Sequence, residues 1–402
     1  MRFVSIVALG LGFAASSACS SSDGGSAAAA GASGVIGGGA GAPNPGGGAA
    51  NPGAGASNPN NGAGAGGAAP NGGAGGMAST DGWLHTMGNG VYVSRGGVDT
   101  RWVGRGVNLD DVFFCGYNYT LWMDKPEETL KTEIAGLLSA WKPSFVRLSL
   151  SMNSFPTKTS WLQDPAKYRD PMIGVVHALT ARPGTYVLVT VRSDVTMING
   201  DPGNLEATGM PSDATNSPDK QASPTGTDAV YVALVDSFAN DATVLFGLTN
   251  EAGGNAASEA LISAAMDHAV TTIRNEENRL GVKHHLVAVQ GKGYSGDISF
   301  WSKKPLTQDN VVYEVHGYPP PTNAYTYANI PVIIGEYGTL DAGSAPAFFQ
   351  DIESKQIPNL AWDFDPFSEC FPDLLEISKD EHVLTPSAWG KLVQPYLLAH
   401  AQ

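Results

Sequence analysis

The sequence has little positive charge. Its 402 residues contain 23 lysines and arginines against 38 aspartates and glutamates, which gives a formal net charge of −15. Nucleic acids and anionic membrane surfaces are polyanions, so this balance argues against both as partners. The acidity itself indicates no more than solubility.

Charged side chains are nearly absent from one long stretch, residues 20–77. Asp23 is the only one there, and the rest is almost entirely Gly, Ala, Ser, Asn and Pro. Such a composition cannot bury enough apolar surface to offset the entropy of the chain. Residues 20–77 are therefore predicted to be a disordered, flexible linker.

The apolar run at the N-terminus, residues 3–15, is too short to span a membrane. It follows Arg2 and precedes Ser16-Ser17-Ala18-Cys19, small residues typical of a cleavage site, so residues 1–19 are predicted to be a secretory signal peptide. This end resembles the lipobox of bacterial lipoproteins, which implies that Cys19 is acylated. The protein would then be exported and anchored at the bacterial outer membrane or cell surface, with the lipid as its only membrane contact. An ordinary signal peptide with an incidental cysteine is the alternative.

Residues 78–402 have the hydrophobic content of a folded domain, and their strand and helix patterns alternate. Eight strand patterns follow one another from Trp102 to Asp363, and short strands around turns near residues 88–94 indicate an N-terminal β-hairpin. Alternation predicts a parallel sheet, and eight units predict an α/β fold of the (β/α)8 (TIM) barrel type. An open doubly wound sheet is the alternative, but the sequence lacks the glycine-rich nucleotide loop expected of one.

Two of the apolar runs end in glutamate. Val332-Ile333-Ile334-Gly335 leads into Glu336, and residues 242–249 lead into Asn250-Glu251. Burying an unpaired carboxylate is too costly, so each glutamate is expected where its strand emerges. Two carboxylates at the C-terminal ends of parallel strands are what a glycosidase requires.

Six short motifs lie on six of the predicted strands. They are Arg105-Gly106-Val107-Asn108, Val146-Arg147-Leu148-Ser149, Thr249-Asn250-Glu251, His316-Gly317-Tyr318, Ile334-Gly335-Glu336-Tyr337-Gly338 and Trp362. In type and order they resemble the cellulase family of glycoside hydrolases, family 5, within a clan of retaining barrel enzymes. The likeness covers nearly all of residues 80–400.

The resemblance implies roles for individual residues. Glu251 would be the general acid/base and Glu336 the nucleophile, with carboxyl groups about 5–5.5 Å apart. Arg147 would keep Glu336 ionised, and Asn250 would bind the sugar 2-hydroxyl. The remaining expected site residues are Asn108, which would support the site, His316 and Tyr318, which would orient the glutamates, and Trp362, which would stack on a sugar ring.

The sequence departs from the family pattern in two places. Ala252 follows the Asn-Glu pair where the family usually has proline, which affects loop shape and not chemistry. Arg192 ends the third barrel strand, where the family usually has a histidine, and this puts the substrate preference and the pH optimum in question. The long segment 193–226 then forms either one wall of the substrate cleft or a disordered insertion.

The predicted function is retaining hydrolysis of a β-linked polysaccharide, with endo-β-1,4-glucanase as the leading activity. Endo-β-1,4-mannanase or another β-glycanase is the alternative, so the expected partner is a β-glucan or a β-mannan. A carbohydrate-binding surface lipoprotein without turnover is the alternative from another class. A monomer without cofactor is expected, and no metal, because the scattered Asp and Asn residues match no calcium-loop spacing.

Cys115 and Cys370 are predicted to form a disulfide. They lie on the loops after the first and the last barrel strand, which are neighbours in a closed barrel. The alternative is two unrelated buried thiols. Thiol titration of the denatured, unreduced catalytic domain should find no free thiol, whereas two free thiols would refute the bridge.

Overall fold

The computed structural model describes residues 82–109, 126–151, 166, 168–192, 227–252, 258–365, 372–376, 378 and 383–401. The predicted signal peptide and linker, the segment 193–226 and all three cysteines lie outside these residues. The strands are β1 Leu84–Met87, β2 Gly90–Arg95, β3 Val98–Arg101, β4 Arg105–Leu109, β5 Phe145–Ser151, β6 Tyr186–Arg192, β7 Val244–Gly247, β8 Val287–Gln290, β9 Val311–Gly317, β10 Val332–Tyr337 and β11 Asn359–Ala361. The helices are α1 Pro126–Ala140, α2 Arg169–Thr180, α3 Thr227–Phe238, α4 Glu259–Leu280, α5 Ser299–Lys303, α6 Ala345–Ser354 and α7 Gly390–Ala399, with a 3₁₀ turn at Thr322–Ala324.

Strands β4 to β11 close into a parallel barrel in chain order. The closing pair is β11 with β4, in which Leu360 lies opposite Gly106. A Cβ atom at Gly106 would lie 1.5 Å from the Phe145 carbonyl oxygen, so only glycine lets β4 and β5 approach. The (β/α)8 barrel predicted from the alternating patterns is confirmed.

The predicted N-terminal hairpin is a three-stranded antiparallel sheet, β1-β2-β3. Its third strand extends through Arg101, which pairs with Tyr92, so the first barrel strand begins only at Arg105. Leu84, Val91 and Val93 join one buried cluster with the barrel's inward-facing apolar residues, among them Leu188, Leu245 and Ile333. Most of these residues lie near the strands' N-terminal ends, so the sheet covers that end of the barrel.

The helices pack around the outside of the barrel and bury a second apolar layer. Helix α4 illustrates how the sequence sets its ends. Ser258 caps its start by accepting a hydrogen bond from the Leu261 N–H at 3.2 Å, and Gly281 ends it with a φ of 68°. Among the described residues, no helix is both long and apolar enough to span a membrane.

Candidate active site

The C-terminal ends of the barrel strands bring the predicted site residues together. Asn108 lies on β4, Arg147 on β5, His316 on β9 and Glu336 on β10. Asn250 and Glu251 follow β7, Tyr318 follows β9, and Trp362 follows β11. In a (β/α)8 barrel this is the end at which active sites are built.

Glu336 lies where the pairing of β10 with β9 is irregular. The register shifts between Ile334 and Glu336, as at a β-bulge, a feature that re-aims side chains near active sites. Arg147 Nη1 donates to Glu336 Oε1 at 2.9 Å, and the Tyr318 hydroxyl donates to Glu336 Oε2 at 2.6 Å. Both oxygens of this nearly buried carboxylate therefore accept a hydrogen bond.

Arg147 is a fully buried arginine at the centre of the site. Besides Glu336, its Nη1 reaches Asn108 Oδ1 at 2.9 Å, and its Nη2 reaches Asn250 Oδ1 at 2.5 Å. Its Nε lies 2.8 Å from Glu314 Oε1. A single guanidinium thus orients two amides and lies between two buried carboxylates, a use for which its planar fork is suited.

Asn108 ties this arginine to the barrel wall. While its Oδ1 accepts from Arg147, its Nδ2 donates to the Gly335 carbonyl at 3.0 Å and to the Ala361 carbonyl at 3.3 Å. Its side chain is fully buried, so it joins the ends of β4, β10 and β11 beneath the site.

Glu251 has a left-handed backbone conformation, with a φ of 49°, which is uncommon for a residue other than glycine. Its N–H donates to Gln290 Oε1 at 2.5 Å, a contact that stabilises this conformation. Its side chain is 16% exposed, compared with 4% for that of Glu336. Its Oε1 lies 3.0 Å from His316 Nδ1. Strained backbone of this kind is concentrated at functional sites.

The two predicted catalytic carboxylates face each other. Ligand atoms of Glu251, His316 and Glu336 lie within 4.8 Å of one another, a spacing that a cation could in principle bridge. However, the Arg147 guanidinium lies 2.9 Å from Glu336 Oε1 and would repel a metal ion there. The arrangement suits an acid and a nucleophile better than a metal centre.

The protonation states of three groups follow from their surroundings. Burial lowers the pKa of His316, but the Glu336 carboxylate and hydrogen bonds to Glu251 and Glu314 outweigh burial and raise it to about 9. Burial raises the pKa of Glu314, but Arg147 and His316 outweigh burial and lower it to about 2. Burial, with the charges of Glu336 and Glu251, raises the pKa of Tyr318 well above its usual range. At neutral pH the site therefore holds an imidazolium, an ionised Glu314 and a neutral phenol.

Two residues of this network, Glu314 and Gln290, are absent from the sequence-based prediction. A signal for Glu314 was present, since a charged residue inside the apolar run Val311-Val312-Tyr313-Glu314-Val315 requires a partner. Arg147 gives a signal of the same kind, but the sequence does not say that the two are partners. Gln290 ends an apolar strand without any comparable charge, so sequence alone offers little to single it out.

Gly335 takes part in the same arrangement. A Cβ atom there would lie 2.0 Å from Glu314 Oε1, so the glycine of the Gly-Glu pair makes room for a buried carboxylate. The group that this glycine accommodates is a side chain of the neighbouring strand β9.

For the other predicted residues, the structure gives only part of the surroundings or none. Trp362 is 5% exposed, and its carbonyl accepts from Trp389 Nε1 at 2.8 Å, so its role as a sugar platform stays a prediction. Arg192 ends β6 opposite Ser151, but its side chain is outside the described part of the chain. Cys19, Cys115 and Cys370 are outside it as well, and the disulfide and the lipid anchor also stay predictions.

Comparison with known proteins points in one direction. The family model described as cellulase (glycosyl hydrolase family 5) matches residues 104–368. No curated protein matches the chain. The solved structures that resemble it include the catalytic domain of the Thermobifida fusca endoglucanase Cel5A, at 17% identity and a TM-score of 0.56 over 79% of this chain and 97% of that one.

Two further structures have the same fold. The β-glucanase SdGluc5_26A of Saccharophagus degradans, in complex with cellotetraose, has 17% identity and a TM-score of 0.57 over 81% of this chain and 95% of that one. The hyperthermophilic endocellulase of the archaeon Pyrococcus horikoshii has 13% identity and a TM-score of 0.54 over 81% of this chain and 100% of that one. At such identities the likeness concerns the fold alone.

Proposed function

This chain belongs to the cellulase family, glycosyl hydrolase family 5, and we propose that it is an endo-β-1,4-glucanase acting with retention. The observation that carries the proposal is the pairing of Glu251 with Glu336, in which one carboxylate oxygen of each residue lies within 4.8 Å of one on the other. Retaining glycosidases separate their carboxyl groups by about 5–5.5 Å, whereas inverting enzymes leave about 6.5–9.5 Å for a water.

The different surroundings of the two glutamates support a division of labour. Glu336 accepts hydrogen bonds from Arg147 and Tyr318, which stabilise its ionised form over the carboxylic acid. In this form it attacks the anomeric carbon as the nucleophile. Glu251 gives its proton to the glycosidic oxygen, so the bond to the leaving sugar breaks as the bond to Glu336 forms. In the second step Glu251 takes a proton from water, and the resulting hydroxyl attacks the anomeric carbon from the face that the leaving sugar vacated, so the bond to Glu336 breaks and the original configuration is restored.

Asn250 is placed to assist this chemistry. Because arginine can only donate, the amide oxygen of Asn250 must be the atom that accepts from Arg147. Its amide nitrogen is then the group that can donate to a sugar hydroxyl. A donor of this kind beside the nucleophile fits the 2-hydroxyl contact that strengthens in the transition state.

The proposed substrate is a β-1,4-glucan. Among structures of the same fold, one is an endoglucanase, and another, a β-glucanase, was solved with cellotetraose. A β-mannan is the second candidate, as the nearest alternative within the same class of β-glycanases.

Release of reducing sugar from a panel of β-glucans, β-mannans and xylans tests the proposal. The expected result is release from β-1,4-glucan that fragments the chain internally and is lost in Glu336→Gln. Preferential release from mannan would instead indicate a mannanase. Retained binding without release from any polysaccharide would indicate a carbohydrate-binding protein.

We further propose that the enzyme is exported and held at the bacterial cell surface or outer membrane by a lipid on Cys19. The support is the N-terminal pattern, an apolar run and small residues before Cys19, followed by the charge-poor segment 20–77.

Anchoring makes a direct prediction. The mature wild-type protein should partition into detergent and with membranes, and Cys19→Ser should release or misprocess it, because the acyl chains supply the membrane affinity. Detergent partitioning of cells expressing each form measures this. Unchanged soluble secretion of both forms would exclude the anchor.

A further inference from the structure

Glu314 is a fully buried carboxylate beneath the proposed catalytic pair. It lies on β9, where the pairing with β8 places it opposite Gln290. One of its oxygens, Oε1, lies 2.8 Å from Arg147 Nε and 3.0 Å from His316 Nε2. The absence of a side chain at Gly335 makes room for that oxygen.

This contact determines which nitrogen of His316 carries a proton. An ionised carboxylate can only accept hydrogen bonds, so His316 Nε2 must be the donor to Glu314. The other nitrogen, Nδ1, then faces Glu251 Oε1 at 3.0 Å. Nδ1 either donates a proton to the Glu251 carboxylate or accepts one from the Glu251 carboxylic acid.

We propose that Glu314 is a positioning residue that acts through His316 to set the protonation of Glu251. The inference rests on the proposed function, in which Glu251 must hold a proton before the leaving sugar departs. It assigns His316 a definite chemical task, the sharing of one proton with the acid. A carboxylate that orients a histidine against a reacting group is known from hydrolases of other folds.

Several charges face His316 and Glu314 from the surrounding strands. Arg147 approaches from β5, Glu251 from the end of β7, and Glu336 from β10, where its Oε1 lies 3.5 Å from His316 Nδ1. Tyr318 is neutral at physiological pH and donates to Glu336. Loss of the Glu314 charge would therefore weaken the hold of His316 on its proton without removing the other two anions.

NMR of the imidazole nitrogens tests the proposal on the whole protein, with the His316 signal assigned by its loss in His316→Asn. In the wild type, His316 should be an imidazolium at neutral pH and should retain a proton on Nε2 when it titrates. In Glu314→Gln, the titration midpoint should fall by about 1–3 pH units, the usual effect of one nearby opposite charge. An unchanged midpoint would overturn the proposal, as would a wild-type neutral form that carries its proton on Nδ1. The wild-type measurement stands even where the variant does not fold.

Glu277→Gln is a matched control. Glu277 is also fully buried against an arginine and a histidine, with Arg274 Nη1 at 2.6 Å and His285 Nδ1 at 2.8 Å. It contacts His285, which precedes β8, at the N-terminal end of the barrel. Its replacement should leave the His316 midpoint and the pH profile of hydrolysis unchanged, and a shift there equal to that of Glu314→Gln would overturn the specific role.

Kinetics separate positioning from a purely structural role. With 2,4-dinitrophenyl glycosides the leaving group needs little help from an acid, whereas with unactivated β-glucan it needs a proton. Glu314→Gln should therefore lower kcat/KM at least tenfold more on the glucan, and equal losses on both substrates would overturn the role. If the wild type hydrolyses neither substrate while the NMR midpoint shifts as expected, the glycosidase assignment falls and the proton link from Glu314 to His316 stands.

Discussion

Replacing Glu336 with glutamine is expected to abolish hydrolysis of β-glucan, by on the order of 10⁴-fold or more, as with catalytic nucleophiles elsewhere. Glutamine has nearly the same shape and can still accept from Arg147, but it cannot form the glycosyl-enzyme ester. The measurement is kcat on soluble β-glucan, together with thermal unfolding to show that the variant is folded.

Glu353→Gln is the matched control for this substitution. Like Glu336, Glu353 is bound by an arginine and a tyrosine, with Arg105 Nη2 at 2.5 Å and the Tyr396 hydroxyl at 2.6 Å. It lies on α6, outside the barrel, and its loss should affect stability and not turnover. Equal loss of activity in both variants would mean that Glu336 matters only for folding.

The companion variant Glu251→Ala tests the other half of the pair. It should hydrolyse activated aryl glycosides slowly and be rescued by azide, because a small anion can replace the missing general base in the second step. The product should be a β-glycosyl azide, which NMR identifies. An α-azide, or full activity without azide, would contradict the assigned roles.

The fold and the proximity of Glu251 to Glu336 could be predicted because both leave local marks in the sequence. Apolar runs such as Val332-Ile333-Ile334 mark strands buried on both faces, and a glutamate after such a run has no stable place in the core. The six family motifs then placed these glutamates among their neighbours. Closure of the barrel followed from the number of alternating units.

The network beneath the pair could not be predicted to the same degree, because it depends on contacts across strands. Glu314 and Arg147 are 167 positions apart in the sequence, and their pairing requires the side-chain positions that only the folded barrel supplies. The three-stranded form of the N-terminal sheet was missed for a similar reason. Val98 and Asp99 are both exposed, so the strand that pairs with β2 has no buried apolar alternation to mark it.

Replacing Arg147 with methionine should both inactivate the enzyme and destabilise it. Arg147 and Glu314 are fully buried, with Arg147 Nε 2.8 Å from Glu314 Oε1. The variant therefore leaves the Glu314 carboxylate buried without the arginine that neutralises it. Breaking a buried ion pair from one side costs about 3–5 kcal/mol. Urea unfolding should show a loss of that size, whereas Arg105→Met should cost less, because its partner Glu353 is 23% exposed and can be solvated.

The pH dependence of this loss identifies its origin. In the wild type the pKa of Glu314 is lowered from 4.5 to about 2, so its ion pair stabilises the fold above pH 4.5 and this contribution is lost as the pH falls toward 2. In Arg147→Met, Glu314 keeps His316 but loses its strongest cationic neighbour, so its pKa should rise. The deficit between variant and wild type should therefore be largest near neutral pH and shrink toward acidic pH.

A double variant tests whether the unpaired carboxylate of Glu314 causes the loss of stability in Arg147→Met. Glu314→Gln removes the charge that Arg147→Met leaves behind, so Arg147→Met/Glu314→Gln should be more stable than the sum of the two single losses predicts, by about 1–3 kcal/mol. It should nevertheless stay inactive, because Glu336 and Asn250 have both lost their common donor. Strict additivity of the two losses would show that the cost of removing Arg147 arises elsewhere in the site.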